Sequence, residues 1–119
     1  DQVLYTRDDL ELQIMVTLAG AIAEEMKYGN RSTGAKNDFT QAWNIAKEIV
    51  EAGLSSLGIV NTGEVPADVL FKECQNIISN LDKKTFELLQ DKQHLLDSIS
   101  AKLISEETID RKVFTELLH

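Results

Sequence analysis

The length, composition and charge of this sequence limit its architecture and its partners. Its 119 residues, 43% of them hydrophobic, suffice for one domain of modest size with a single core. The 12 basic and 20 acidic residues give a net charge of −8, which argues against nucleic acid as a partner because phosphate binding depends on cationic side chains. The single cysteine excludes an internal disulfide and suits a reducing compartment.

A first helix is predicted between Thr6 and Gly29. Thr6 and Asp9 resemble a capping box in front of an apolar run, so we expect the helix to begin near Arg7. Gly29 is a suitable C-cap because glycine adopts a left-handed backbone conformation at little steric cost.

The middle of this helix, from Ile14 to Ala23, is apolar on most of its sides. Only Thr17 and Gly20 interrupt the apolar residues. Such a helix is typical of the centre of a fold, so we expect it to be covered on nearly every side in a longer parent protein, with the helices of this chain covering only part of it. Gly20 costs about 1 kcal/mol relative to alanine inside a helix, and we expect close approach of another backbone to compensate. The run is about half of the roughly 20 residues that cross a bilayer, so we predict a soluble segment without direct membrane contact.

The segment at residues 32–38, Ser-Thr-Gly-Ala-Lys-Asn-Asp, separates the first helix from a second. We expect Gly34 to form a tight turn with a positive φ. Asn37 and Asp38 stand where the next apolar periodicity begins. Both are favoured at helix starts because their side-chain oxygens accept hydrogen bonds from unpaired backbone N–H groups. From the residues alone, Asp38 is therefore interpreted as a helix cap.

The second helix is predicted from Asp38 to Ala52, with Gly53 ending it. One of its faces is apolar and the other polar, so it is an amphipathic partner of the first helix. Trp43 is interpreted as a core anchor. The apolar positions are Phe39, Ala42, Trp43, Ala46, Ile49 and Val50.

A loop and a third helix follow. Residues 55–65 are predicted as a loop with room for a short extended piece at 57–60. Pro66 suits the first position of a helix, where no N–H group is needed, and the apolar spacing continues towards Gln90. Cys74 is interpreted as a small buried apolar residue of that helix.

The end of the chain is predicted to complete a C-terminal helical bundle. A fourth helix is expected around residues 95–104 and a short fifth helix after Asp110. His94 is interpreted as a surface residue. The predicted fold class is thus all-α, with a long buried helix, an amphipathic partner and a bundle, about five helices in total.

Four motifs, in order along the chain, resemble those of a known protease family. Residues 32–38 resemble the T-T-G-A-x-N-D element of the FtsH-type ATP-dependent zinc metalloproteases. Upstream, residues 18–25 resemble the family's L-G-G-R-x-A-E-E. Downstream, residues 53–58 resemble its G-(M/F)-S-x-x-L-G with one residue missing, and residues 103–110 are similar to its L-L-x-x-E-T-(I/L)-D.

The resemblance implies a chemical role for Asp38. The aspartate that closes T-T-G-A-x-N-D is the family's third zinc ligand, and it corresponds to Asp38 here. Its neighbour Asn37 would then support the site without binding the metal. Two alanines depart from the family pattern: Ala19 replaces the first glycine of G-G-R, and Ala21 replaces its arginine.

Two interpretations remain open for the adjacent carboxylates Glu24 and Glu25. They fall in the last turn of the first helix, where carboxylates oppose the helix dipole. They can be a solvated pair helped by Lys27 or Arg31. Alternatively, one of them faces the zinc region that the resemblance implies and helps to orient a ligand.

The sequence lacks the other parts of a zinc peptidase. H-E-x-x-H supplies two histidine ligands and a glutamate base, but the two histidines of this chain, His94 and His119, are far apart. A catalytic zinc normally takes three protein ligands. Family order puts the missing histidines upstream, so zinc is expected only in a longer parent protein. No residue of this chain is assigned a catalytic role, and the chain alone is expected to be inactive.

The resemblance therefore implies that residues 1–119 are the C-terminal part of an FtsH-like peptidase domain. No G-x-x-x-x-G-K-(S/T) motif occurs, so ATP would bind to another domain. Such a parent would be a hexameric homo-oligomer that degrades unfolded or membrane proteins from the cytoplasmic side of a membrane, anchored by absent N-terminal segments. The alternative is a non-catalytic helical scaffold or assembly module of a degenerate relative, which the loss of arginine at Ala21 favours.

Overall fold

The computed structural model describes residues 4–105, and these residues form helices and loops without a strand. The α-helices are α1 (Arg7–Tyr28), α2 (Lys36–Glu51) and α3 (Ala67–Ser105), and one 3-10 turn (Thr33–Ala35) precedes α2. The all-α class is confirmed. The count of about five helices is wrong for the described part of the chain, which has three.

The start and end of α1 follow the predicted signals. The Thr6 hydroxyl accepts from the Asp9 N–H (3.1 Å), and the Asp9 carboxylate accepts from the Thr6 N–H (2.9 Å), which completes a capping box. Gly29 ends the helix in the left-handed region (φ 83°), and its N–H donates to the Glu25 carbonyl at 2.7 Å. Both local predictions are confirmed.

One face of α1 forms the centre of the core. Ile14, Leu18 and Ile22 are at most 1% exposed, and α1 packs along α2. Burying an aliphatic side chain of this size contributes about 1.5–3 kcal/mol, so this face holds much of the fold together. Residues from α2 and the first part of α3 complete the cluster: Ala42, Ala46, Ile49, Val50, Cys74, Ile77 and Leu81.

The opposite face of α1 is bare in the described part of the chain. Leu12 is 60% exposed and Val16 is 68% exposed. A Cβ added at Gly20 would meet no atom within 4 Å. Within residues 4–105, α2 and α3 cover only part of α1, as expected if a segment outside this chain covers the rest, whereas the prediction of a close backbone approach at Gly20 is wrong there. No helix in that range is long and apolar enough to cross a membrane.

The C-terminus of α2 is closed by hydrogen bonds of the Schellman type. Gly53 (φ 78°) donates to the Val50 carbonyl at 3.1 Å, and Leu54 donates to the Ile49 carbonyl at 2.9 Å. The Leu54 carbonyl accepts from Nη1 of Arg7 at 2.7 Å, which ties this end of α2 to the first residue of α1.

The predicted loop at residues 55–65 is confirmed, and residues 57–60 do not form a strand. The loop is fastened to α3 at Ser56, whose hydroxyl donates to the Glu73 carboxylate at 2.7 Å.

Helix α3 begins at Ala67, one residue later than predicted, and continues for 39 residues without the expected break near Gln90. The predicted fourth helix at 95–104 therefore lies within α3, and the bundle expected there is a single helix in the described residues. The predicted fifth helix, after Asp110, lies outside them. Cys74 is fully buried as predicted, and burial raises the pKa of its thiol.

The contacts divide the chain into two units, residues 1–89 and residues 90–119. The first contains the core described above. In the second, the described residues are the last part of α3, in which Gln93 donates to the Asp97 carboxylate at 2.9 Å, one helical turn away. His94 is exposed, as predicted.

Candidate functional site

The segment between α1 and α2 is ordered by its own backbone and one serine. The Ser32 hydroxyl accepts from the Gly34 N–H at 3.2 Å, and the Ser32 carbonyl accepts from the Ala35 N–H at 3.4 Å. These bonds form the 3-10 turn that leads directly into α2. Gly34 does not have the positive φ that the sequence predicts. A Cβ at Gly34 would lie 3.3 Å from Ser32 Oγ, so crowding of the capping hydroxyl is the constraint at this position.

Asp38 is the third residue of α2, and it does not cap the helix. The capping position belongs to Ala35, which makes no side-chain capping bond. A carboxylate at the third helical position usually reaches back to the N–H of the capping residue, but the Ala35 N–H already donates to Ser32. Within residues 4–105, the partly buried Asp38 carboxylate has no hydrogen bond or ion pair. The interpretation of Asp38 as a cap is therefore wrong, although the helix dipole still favours a carboxylate there.

Glu25 is held by Arg31. Nε of Arg31 donates to the Glu25 carboxylate at 2.5 Å. Nη2 of the same guanidinium donates to both carboxylate oxygens of Asp82 on α3, at 2.8 and 3.0 Å. Partial burial tends to lower the pKa of Arg31, but the hydrogen bonds and charges of the two carboxylates outweigh it and raise that pKa.

The other predicted supporting residues are less engaged. Glu24 is partly buried and Asn37 is exposed, and neither side chain makes a hydrogen bond within the described residues. For Glu25, the contact with Arg31 agrees with the first of the two interpretations, in which Lys27 or Arg31 helps the carboxylate pair. Sequence reasoning did not find Asp82, because the 51 residues that separate it from Arg31 carry no signal of the pairing.

A groove of about 310 Å³ lies beside Arg31, between the three helices. Aromatic rings form part of its wall. Trp43 packs against Phe71, with ring centroids 5.2 Å apart, and the Arg31 guanidinium lies 5.7 Å from the centre of the Phe39 ring. Trp43 is packed against the core but remains partly exposed, so it borders the core instead of anchoring its centre.

The donor groups fit a zinc site only in part. Asp38 offers carboxylate oxygens with no partner in the described residues, which suits one zinc ligand. The same residues contain no group of three or more His, Cys, Asp or Glu side chains able to hold a metal ion. Since a catalytic zinc takes three protein ligands, this part of the chain can supply one of them and needs the others from elsewhere.

Comparison with known proteins places these residues in a family. Residues 1–72 match the family model described as peptidase family M41. The chain belongs to this family. The matched residues include Asp38, Asn37, Glu24 and Glu25, and they end inside α3.

Its relatives are named as ATP-dependent zinc metalloproteases. The ATP-dependent zinc metalloprotease FtsH 2 of Symbiobacterium thermophilum is 30% identical over 92% of this chain, and the chain covers 21% of that protein. ATP-dependent zinc metalloprotease FtsH of Trieres chinensis is 32% identical over 99% of the chain, which covers 22% of it. The chloroplastic FTSH 1 of Arabidopsis thaliana is 30% identical over 96% of the chain. The chain thus spans about a fifth of the length of these M41 relatives.

Proposed function

We propose that residues 1–119 are the C-terminal part of the peptidase domain of an ATP-dependent zinc metalloendopeptidase, and that Asp38 is its third zinc ligand. The observation that carries this proposal is the position of Asp38. It lies in the stretch that matches the family model, in the first turn of α2, with a carboxylate that makes no hydrogen bond or ion pair within residues 4–105. The resemblance of residues 32–38 to the family's zinc-binding element supports the same assignment.

In this proposal Asp38 binds the metal, and an upstream H-E-x-x-H motif supplies two histidines and the general base. Zinc, when bound, polarises the peptide carbonyl and lowers the pKa of its water. The contribution of this chain is to hold one anionic ligand at the start of a helix, where the dipole stabilises a negative charge.

Glu24, Glu25 and Asn37 are proposed to support Asp38 without binding the metal. For Glu25, the support runs through Arg31, because its carboxylate is already bound to that guanidinium. Glu24 and Asn37 have side chains without a hydrogen bond or ion pair within the described residues, so both can form hydrogen bonds to ligands or water around a metal.

For the parent protein we propose the remaining properties of such an enzyme. ATP binds to another domain, the protein assembles as a homo-oligomer, expected to be a hexamer, and unfolded or membrane proteins are its substrates. It acts on the cytoplasmic side of a membrane through segments outside this chain. The isolated chain neither binds zinc tightly nor cleaves protein, because Asp38 is its single candidate ligand.

The test compares the parent with the isolated chain. The parent should retain about one zinc per chain after dialysis against a weak chelator, and it should degrade casein when ATP is present. The isolated chain should retain no stoichiometric zinc. A parent without zinc, or an isolated chain with one zinc, would contradict the proposal.

The second candidate function is a non-catalytic scaffold, and Ala21 is the observation that favours it. Ala21 is buried at the position where the family pattern has arginine. Burying a guanidinium there without partners would be costly, so the core around Ala21 is adapted to a small side chain. Normal oligomer assembly by a parent that binds no zinc would favour this function.

A further inference from the structure

We infer that Arg31 is a positioning residue for Asp38 and that Asp82, outside the stretch that matches the family model, holds Arg31 in place. The inference rests on the proposed function of Asp38 as a zinc ligand. It adds a support from α3 to a site that otherwise lies on α1 and α2.

The side chain of Arg31 joins three parts of the fold. Arg31 follows α1 and precedes the 3-10 turn, and its guanidinium binds Glu25 on α1 and Asp82 on α3. The side chains of Arg31 and Asp82 are each only 30% exposed, and that of Glu25 is 34% exposed. Arg31 therefore connects the end of α1 and the middle of α3 through the segment that leads to Asp38.

Arg31 also reaches the far end of the segment that leads to Asp38. Its guanidinium lies 5.7 Å from the centre of the Phe39 ring, within the range of a cation–π contact. Phe39 is the neighbour of Asp38 in the chain. The contact closes residues 31–39 into a loop, so the orientation of Arg31 restrains the backbone on both sides of Asp38.

The ion pairs of Arg31 should be stronger than an isolated surface pair. Isolated ion pairs on protein surfaces contribute little, but networks and two-oxygen contacts with arginine are the exception. Arg31 forms such a network, since Nε binds Glu25 while Nη2 of the same guanidinium meets the two oxygens of Asp82. Lysine could not reproduce this arrangement, because its ammonium group is a point charge without the planar fork.

The first experiment measures amide hydrogen exchange in the 119-residue chain. Asp82→Asn should speed exchange across residues 33–38 by about five-fold, while the amides at the start of α1 remain unchanged. Arg31→Lys should have an effect at least as large, because lysine cannot meet both carboxylates in this way, and Asp82→Glu should retain most of the protection. Glu87→Gln is the matched control, because this exposed carboxylate on the same helix makes no contact with Arg31. Equal exchange in Asp82→Asn and Glu87→Gln would overturn the inference.

The second experiment measures zinc retention by the parent in the presence of a competing chelator. Asp82→Asn should lower the zinc affinity by about ten-fold, as losses of outer supporting groups do at other zinc sites, and Asp82→Glu should restore it. ATP hydrolysis should not change. Asp38→Asn serves as the reference: if it leaves zinc retention intact, the proposed function fails. If Asp38→Asn releases zinc and Asp82→Asn does not, the proposed function stands and the inference is wrong.

Discussion

Asp9 and Asp38 occupy the same position in two different helices. Each is the third residue of its helix, of α1 and α2 respectively. Asp9 follows a threonine cap, accepts from the N–H of Thr6, and has a lowered pKa mainly because of that bond. Asp38 follows Ala35, whose side chain cannot cap and whose N–H is already bound by Ser32.

The difference shows that helix position alone does not explain an N-terminal carboxylate. The bonds of Asp9 account fully for its presence. No such bond explains Asp38, since its carboxylate has no hydrogen-bond or ion-pair partner within residues 4–105. A partly buried carboxylate without a hydrogen bond or ion pair is available for a ligand. The contrast between Asp9 and Asp38 can be tested by substituting residues at the two helix starts separately.

The largest expected effect is on activity, and it should be confined to Asp38. In the parent, Asp38→Asn should lower casein degradation by at least about 100-fold, since a neutral amide oxygen is a poor zinc ligand and even outer supporting groups cost 10–100-fold. ATP hydrolysis should persist. The free energy of unfolding of the 119-residue chain should fall by less than about 1 kcal/mol, because only the interaction of the carboxylate with the helix dipole is lost.

The matched control for that experiment is Asp9→Asn in the same parent. It should leave proteolysis near the wild-type rate, because Asp9 serves the start of α1. Near-normal casein degradation in Asp38→Asn, or equal losses in the two variants, would remove the functional distinction between the two aspartates.

The next effect is on stability, and it should be larger at the start of α1 than at the 3-10 turn before α2. Thr6→Ala should lower the free energy of unfolding by about 1 kcal/mol, the usual value for a lost hydroxyl cap. Ser32→Ala should cost about 0.5 kcal/mol or less, at the low end of the capping range, because Ser32 caps one short turn. Urea unfolding measures both variants, and a Ser32→Ala cost above that of Thr6→Ala would contradict this ranking.

Local signals in the sequence were sufficient to predict both ends of α1 and the end of α2. Thr6 with Asp9 fixes the start of α1, and Gly29 and Gly53 fix the ends of α1 and α2, because each feature depends on neighbours a few residues away. Cys74 was predicted as buried from its place in an apolar repeat.

Features set by distant contacts could not be predicted. Because α1 is apolar on most of its sides, its sequence does not indicate which face α2 and α3 cover. Leu12 and Val16 are exposed because those helices pack against the other face. The break expected near Gln90 rested on the end of one run of apolar spacing, but an exposed helix can continue through polar residues, and residues 67–105 contain no glycine or proline to end it. In the site, resemblance identified Asp38, whereas the contact between Arg31 and Asp82 depends on the fold alone.

A smaller effect concerns the pH dependence of stability. The folded-state pKa of Asp9 is lowered from 3.8, so its carboxylate stabilises the fold above its unfolded pKa, and this contribution is lost as the pH falls through the folded pKa. In Asp9→Asn, the free energy of unfolding should therefore fall less steeply as the pH is lowered from about pH 5 to about pH 2. Urea unfolding across this range measures the slope. An unchanged acid limb would show that the capping box does not contribute in solution.

The smallest expected effect is at Gly34, and its sign depends on Ser32. Replacing a glycine whose φ alanine can adopt stabilises by about 0.4–1 kcal/mol through the unfolded chain. At Gly34 the new methyl would lie 3.3 Å from Ser32 Oγ and disturb the capping bond, so the two terms should nearly cancel in Gly34→Ala. In a Ser32→Ala background the obstacle is gone, and the same substitution should stabilise the chain. A double-mutant cycle in urea isolates this coupling. If Gly34→Ala has the same effect in both backgrounds, the Ser32 hydroxyl is not the reason for a glycine at position 34. The start of α2 would then depend on its backbone alone.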